Sequence, residues 1–411
     1  MTNNKITSKP YVENIYQFLF DDEDARVCKD IPEQSCSDVP QNFIRLGAAQ
    51  TLTKLADEIS NAKTVIPWLL EAVGASSFWV GFLVPIRESF SMLPQLMIAK
   101  YVRSFSLRKN ALLLSAILQS LAMAALACIA LFMRGPGTGA AIIGVMLFFS
   151  LARGLCSVAS KDVTGKTIPK TRRGRLTGYS AAVSGVLTLI MGFGLVGWVG
   201  QDASPLLFAV LLGFGAVLWL IAGGFFSRIA EAPGATEGGG NALTEALKRL
   251  DILRTDAPFR RFVIVRSLLI STALSGPYYM MLAYQSGGGG ELLGFFVLAS
   301  GFASALSSAF WGRYADRSSR TVLMIASSIA SILGLILFVL DFSGVLQAGF
   351  AWVIPIAFFV LSIAHSGVRI GRKTYILDLA GGAKRTDYVA VSNTVIGAIL
   401  LVSSSLGMLN V

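Results

Sequence analysis

The sequence predicts an all-α polytopic membrane protein, and two observations lead to that class. Between Gln41 and Val411 lie eleven mostly apolar stretches of about 20 to 27 residues, each long enough to cross a bilayer core as a helix. The polar connections between them alternate in basic charge. Connections 100–109, 161–175, 228–261, 313–320 and 372–385 carry 23 of the 35 Lys and Arg residues, while 71–76, 134–139, 200–205, 285–291 and 341–349 carry Arg134 alone. Basic connections are retained on the cytoplasmic side of a membrane. The pattern therefore predicts a cytoplasmic N-terminus and an eleventh span that ends outside.

Composition agrees. Hydrophobic residues make up 54% of the 411-residue chain and charged residues 14%, against roughly 25% charged in soluble domains. The net charge of +11 is spread over five connections. It reads as a topology signal and an attraction to anionic lipid headgroups, not as a nucleic-acid footprint. Residues 1–40 are polar and acidic, and no cleavable signal peptide is expected there. The four cysteines show no disulfide pattern: Cys128 and Cys156 fall in apolar helices, and Cys28 and Cys36 in a tail placed in the reducing cytoplasm.

Residues 1–43 are expected to form a soluble cytoplasmic tail with the acidic run Asp21-Asp22-Glu23-Asp24. Six spans follow near 44–70, 76–99, 110–133, 140–160, 176–199 and 205–227, making an N-terminal bundle over 44–227. A cytoplasmic linker, 228–258, opens with Pro233-Gly234 and Gly238-Gly239-Gly240. Leu243, Leu247, Leu250 and Leu253 then recur at helical spacing, which predicts an amphipathic helix on the inner membrane face. Five spans near 259–284, 291–312, 321–340, 350–371 and 388–410 form a C-terminal bundle over 259–411.

The two halves repeat each other. YVRSFSLRKN after span 2 answers GRYADRSSR after span 8, and PKTRRGRLTGY after span 4 answers AKRTDYVAV after span 10. Tyr101 pairs with Tyr314 and Arg173 with Arg385, both at offsets of about 212 residues, as tandem bundles of one orientation would give. From about residue 42 onward the sequence resembles the major facilitator superfamily of secondary transporters. The best local match is Gly312-Arg313-Tyr314-Ala315-Asp316-Arg317 with Arg320. It is similar to the superfamily's loop signature, a cytoplasmic charge cluster that latches helices in one gate state. The resemblance implies gating roles for Asp316, Arg317 and Arg320. The first-half copy has no Asp near Arg103, which puts an equivalent latch there in doubt. Pro169 and Arg172-Arg173-Gly174-Arg175 resemble the family's loop between spans 4 and 5. Span 5 offers Gly185, Gly192, Gly194 and Gly197 without the family's Gly-Pro antiporter signature, which lowers the expectation of drug–proton antiport. The superfamily has twelve spans, so a stop after eleven reads as a truncated or fragmentary frame.

An ionisable group deep in hydrocarbon costs about 2.5–3.5 kcal/mol on insertion scales, so each one needs a reason. At about 100° per residue, Gln50, Lys54, Asp57, Glu58, Asn61 and Thr64 share one face of span 1. Lys63 falls on the opposite side, placed to snorkel outward. Lys54 and Glu58 are spaced to pair. The stripe either lines a wet central cavity, the favoured reading, or packs as a self-neutralising seam. On span 2, Arg87, Glu88, Ser91 and Gln95 share a face, and Pro85 and Pro94 permit bending. Arg87 is placed to neutralise Asp57 or Glu58, as a structural ion pair or as a substrate contact.

Span 10 holds the one histidine, His365, on a face with Ser362, Ser366, Arg369, Arg372 and Lys373. Hydrogen-bonded packing and proton carriage both stay open for it. Arg153 of the pseudo-equivalent span 4 is a further buried cation, and Arg266 of span 7 is expected to snorkel. Ser271, Ser275, Tyr278 and Tyr279 lie along span 7 around Gly276-Pro277, a pair expected to break the helix as a bending gate. Gly301, Ser304, Ser307 and Ser308 of span 8 are expected to mark close helix packing.

No P-loop, metal-ligand spacing or Ser-His-Asp set is present, so no enzyme, cofactor or resident metal is expected. The combined reading is a 6 + 5 arrangement of spans in two pseudo-symmetric bundles, with spans 1, 2, 4, 7 and 10 around a central cavity. With the resemblance, it gives secondary active transport of a small solute by alternating access, coupled to protons, by a monomer in a bacterial cytoplasmic membrane. Asp57, Glu58 and Glu88 are the candidate proton carriers. Lys54, Arg87, Arg153, His365 and Arg369 tilt the solute toward an anion or zwitterion, with Asn61, Tyr278 and Tyr279 as further contacts. Multidrug or metabolite efflux is the alternative, and a receptor or scaffold using the acidic tail is an alternative of another class.

Overall fold

The computed structural model describes residues 36–93, 98, 101–102, 104–198, 204–234, 249–287, 291–379 and 385–403. Among the described residues every regular element is helical. Span 1 is two helices, α1 (Val39–Ile59) and α2 (Val65–Ala72). An unpaired backbone group costs several kcal/mol in lipid, and Asn61 meets that demand in the turn. Its carbonyl accepts the N–H of Thr64 (3.3 Å) and of Ile66 (3.1 Å). Its side chain donates to Glu58 (2.9 Å) and accepts the N–H of Lys63 (2.9 Å). Span 2 opens with a 3-10 turn at Ser77–Trp79 and continues as α3 (Val80–Met92). Then come α4 (Lys109–Phe132), α5 (Thr138–Thr167), α6 (Lys170–Trp198) and α7 (Pro205–Ser227).

In the second half, a short α8 (Ile252–Thr255) precedes α9 (Ala257–Leu268) and α10 (Ser271–Gln285). They are followed by α11 (Glu291–Arg317), α12 (Ser319–Phe342), α13 (Val353–Leu379) and α14 (Arg385–Ser403). Helices α5, α6 and α11 run past the predicted spans, so the basic connections 161–175 and 313–320 are mostly helical extensions. Span 7 breaks at Leu269–Ile270, whereas Pro277 stays inside α10. This corrects the expected Gly-Pro break. The hydroxyls of Ser271 and Thr272 donate back to the carbonyls of Leu268 (2.9 Å) and Leu269 (2.8 Å), an alternative to the helical ladder.

Among the described residues six helices are long and apolar enough to cross a membrane: α4, α5, α6, α7, α12 and α13. The spans that fall outside this set include the broken or charged ones, and those helices line the interior described below. In the N-terminal half α4 lies against α5 and α7, and α1 against α6 and α7; in the C-terminal half α13 carries α10, α11 and α12. The halves meet where α6 packs on α11 and α3 on α14. The internal repeat exchanges these two contacts, since it maps span 2 onto 8 and span 5 onto 11. Glycine permits the first approach: a Cβ on Gly294 would stand 2.6 Å from the Val196 nitrogen. At the second, Ser89 donates to the Gly397 carbonyl at 3.0 Å.

The start of the linker is fastened to the N-terminal half. Asn42 donates to the Ala230 carbonyl (2.8 Å) and accepts its N–H (2.9 Å). Glu231 accepts the N–H groups of Arg108 (3.1 Å) and Lys109 (2.8 Å) at the start of α4, and pairs with Lys166 at 3.2 Å. At the far end, Leu250, Ile252 and Leu253 pack on Phe259, Ile376 and Tyr388. Asp256 caps α9 and accepts the Tyr388 hydroxyl. The described part of the predicted membrane-surface helix thus docks on the C-terminal bundle. Leu243 and Leu247 lie outside the described residues, as do residues 1–35, Pro94 and Gln95. Arg266 does not snorkel: it is buried and donates to Ser392 and to Asn393 (2.9 Å) of α14. Cys36 is disulfide-bonded, which corrects the expectation of no disulfide, and Cys128 and Cys156 are free.

Candidate functional site, a charged cavity between the bundles

Two adjoining lobes lie between the halves. The N-terminal lobe, about 610 Å³, is walled by α1, α3 and α5, and the C-terminal lobe, about 370 Å³, by α10, α11, α13 and α14. Glu58, Asn61, Lys63, Glu88, Met92 and Arg369 border both. The lining runs to Lys161 and Lys373, at the end of the molecule that carries the basic connections. Toward the other end the C-terminal lobe stops at Phe358, which meets Phe296 edge-on at 5.0 Å. Phe296 in turn lies 6.5 Å from Trp68, which meets Tyr284 edge-on at 6.1 Å. This aromatic seal joins α2, α10, α11 and α13.

In the N-terminal lobe Asp57 is gripped from both sides. Arg87 reaches one carboxylate oxygen at 3.1 Å and Arg153 the other at 2.5 Å. Each guanidinium also lies over a ring, Arg87 over Phe149 (4.9 Å) and Arg153 over Trp219 (5.8 Å). Of the face predicted for span 1, Gln50, Lys54, Asp57, Glu58 and Asn61 line the cavity and Thr64 does not. The Lys54–Glu58 pair does not form. Lys54 donates to the Thr177 carbonyl at 3.2 Å, and Glu58 accepts from Asn61 and, at 3.4 Å, from Ser300 of α11.

Past Ile59 the helical wheel no longer applies. The turn at Ser60–Thr64 swings Lys63 into the cavity wall instead of outward, and its ammonium meets His365 Nε2 at 3.3 Å. The other ring nitrogen of His365 lies 3.0 Å from the Thr272 hydroxyl, which donates to Leu269. An ammonium has donors only, so Nε2 accepts, Nδ1 carries the proton, and every group in the chain is used once. His365 thus has partners that its sequence position gave no hint of, and they tie the break in span 1 to the break in span 7.

Arg369, Arg372 and Lys373 line the C-terminal lobe with Ser362 and Ser366, as their shared face predicts. Tyr278 and Tyr279 are not among the lining residues. The restart at Ser271 turns Thr272, Ala273 and Gly276 inward instead, and Tyr279 joins the core. A Cβ on Gly276 would stand 3.1 Å from the Lys63 Cβ, so the lysine stem lies on this glycine. Span 8 divides its small residues: Gly301 packs against Leu189 of α6, while Ser300, Ser304 and Ser307 line the lobe, contrary to a purely packing role. Arg317 and Arg320 are exposed near the junction of α11 and α12. The Asp316 side chain lies outside what is described. No group of His, Cys, Asp and Glu that could hold a metal occurs among the described residues.

A two-bundle helical fold around a charged interior defines a membrane transporter. Residues 58–408 match the family model of the Major Facilitator Superfamily, and the chain belongs to that family. It is an integral multi-pass membrane protein that moves a small solute. Solved structures share the fold at low identity. The nucleoside transporter NupG is 14% identical with a TM-score of 0.66, over 89% of this chain and 90% of that one. A D-xylose-proton symporter is 14% identical with a TM-score of 0.64, over 89% of each chain. A POT family transporter in complex with a thioalcohol-conjugated peptide is 13% identical with a TM-score of 0.63, over 93% of each. No curated protein matches the chain.

Proposed function

We propose that this chain carries a small anionic or zwitterionic solute by proton-coupled alternating access, with its N-terminus in the cytoplasm of a bacterial cell. The observation that supports this reading most is the cavity itself, lined by charged groups, extending to the basic end and stopped by the aromatic seal at the other. With basic connections inside, this is an inward-facing arrangement. Eight Lys and Arg side chains border the two lobes against Asp57, Glu58 and Glu88, which favours an anionic group on the solute.

Glu58 is the first candidate for the coupling proton. Its partners, Asn61 and Ser300, are neutral, so a proton on it breaks no ion pair, whereas a proton on Asp57 would break two. Glu58 also receives a donor from each bundle, so its protonation bears directly on their contact. In proteoliposomes, Glu58→Gln should abolish uphill accumulation while exchange of solute down its own gradient survives. Accumulation with unchanged pH dependence in Glu58→Gln would move the role to Glu88 or His365. Reporter fusions at Ser104, Ile168, Gly240, Ser318 and Ala380 should report cytoplasm, and those at Gly74, Gly137, Ala203, Gly288 and Val345 the outside. Two reversed connections would sink the orientation.

A further inference from the structure

The positive charges of the cavity are met unevenly. In the N-terminal lobe Arg87 and Arg153 are satisfied by Asp57, and Lys54 and Lys63 by a carbonyl and an imidazole. Arg369, Arg372 and Lys373 stand together on one face of α13 at positions i, i+3 and i+4, where like charges repel. All three line the C-terminal lobe, and no hydrogen bond or ion pair holds them among the described residues. Glu58 and Glu88 are the carboxylates that border the same lobe, from α1 and α3, against these three cations and Lys63.

A second observation is independent of charge. Ser307 on α11 and Ser366 on α13 line this lobe, are 2% and 6% exposed, and have hydroxyls with no partner. Buried hydroxyls are normally bonded. Each oxygen is shielded in its present rotamer, and a step between staggered χ1 wells is the motion that would offer it to a ligand.

The geometry points to a seat for an oxyanion of the solute, a phosphate or a carboxylate, in the C-terminal lobe. Arg369 and Arg372 supply planar guanidinium donors suited to paired oxygens. Lys373 adds charge at the mouth, and Ser366 and Ser307 donate from α13 and α11. The assignment deepens the transport reading and rests on it. It also separates two tasks: the Asp57 cluster, in which both arginines already share a carboxylate, is left to hold the N-terminal bundle.

The test uses the purified full chain in detergent. Its Tm is followed while inorganic phosphate or succinate is added, with chloride balancing ionic strength. A saturable rise is expected with at least one of the two, and which one distinguishes phosphate from carboxylate. Arg369→Gln should raise the half-saturating concentration at least tenfold and Ser366→Ala about threefold. The exposed Arg254→Gln, an equal loss of charge in α8, should leave it within about twofold. No saturable rise with either probe, or the same saturation in Arg369→Gln, overturns the seat. Flux of an anionic solute that is indifferent to Arg369→Gln also removes the seat and leaves transport standing. Saturable binding without flux of any solute keeps the seat and removes the transport reading.

Discussion

In the N-terminal half Asp57, Arg87 and Arg153 bind one another, and each arginine rests on an aromatic ring of its own bundle. The repeat offset of about 212 residues sets Leu269 against Asp57, Ser300 beside the counterpart of Arg87, and His365 against Arg153. None of these three carries a fixed charge. Ser300 reaches Glu58, and His365 reaches Lys63, both across the bundle interface. The first-copy positions thus close on their own half, whereas two of the three in the second copy reach across to the other half. The difference follows from charge. Asp57 holds two guanidinium groups in its own half, whereas the crossing contacts set a neutral hydroxyl against Glu58 and an imidazole against Lys63, single hydrogen bonds that cost less to break than a doubly paired buried ion.

The sharpest way to break this comparison is Asp57→Ala. Two guanidinium groups would face each other without their anion, at a cost of about 3 kcal/mol or more. Transport should be lost and the Tm in detergent should fall well below wild type; an unchanged Tm would mean the N-terminal cluster holds nothing. Gly276→Ala tests the crossing contacts. Its methyl would press on the Lys63 stem and move the ammonium off His365. Transport should drop about threefold to tenfold at a stability cost of about 1 kcal/mol, measured as initial flux beside Tm. A variant that loses stability but not flux would make the Lys63–His365 contact mere packing. Ser300→Ala should have the smallest effect, because the 3.4 Å contact is near the limit of a hydrogen bond. Accumulation should change within about twofold. A larger loss would place Ser300 nearer the coupling step than its length of contact suggests.

Much of this was legible in the sequence where one helix runs unbroken. The prediction for 205–227 coincides with α7, and Arg87, placed by the sequence against Asp57 or Glu58, meets Asp57. Legibility ended at the breaks. Neither Ser60–Thr64 nor Leu269–Ile270 contains Gly or Pro, so composition gave no sign of them. The visible Pro85 and Pro277 both sit inside helices. Because α1 stops at Ile59, extrapolating its wheel to Lys63 sent that side chain outward, away from the histidine it meets. The serines of span 8 were ambiguous for another reason. A small polar residue suits a tight helix contact and a wet wall equally, and only the position of α6 against Gly301 separates the two faces.

The aromatic seal has an optical consequence. Trp68 lies edge-on to Tyr284 and near Phe296, at the end that parts in the proposed alternating access. Trp219, fully buried, lies under Arg153, which lines the N-terminal lobe. One indole is therefore sensitive to the separation of the bundles, and the other to the electrostatics of the filled or empty lobe. Against the other four of the chain's six tryptophans, replacing Trp68 or Trp219 with phenylalanine isolates by difference one gauge of movement and one of charge.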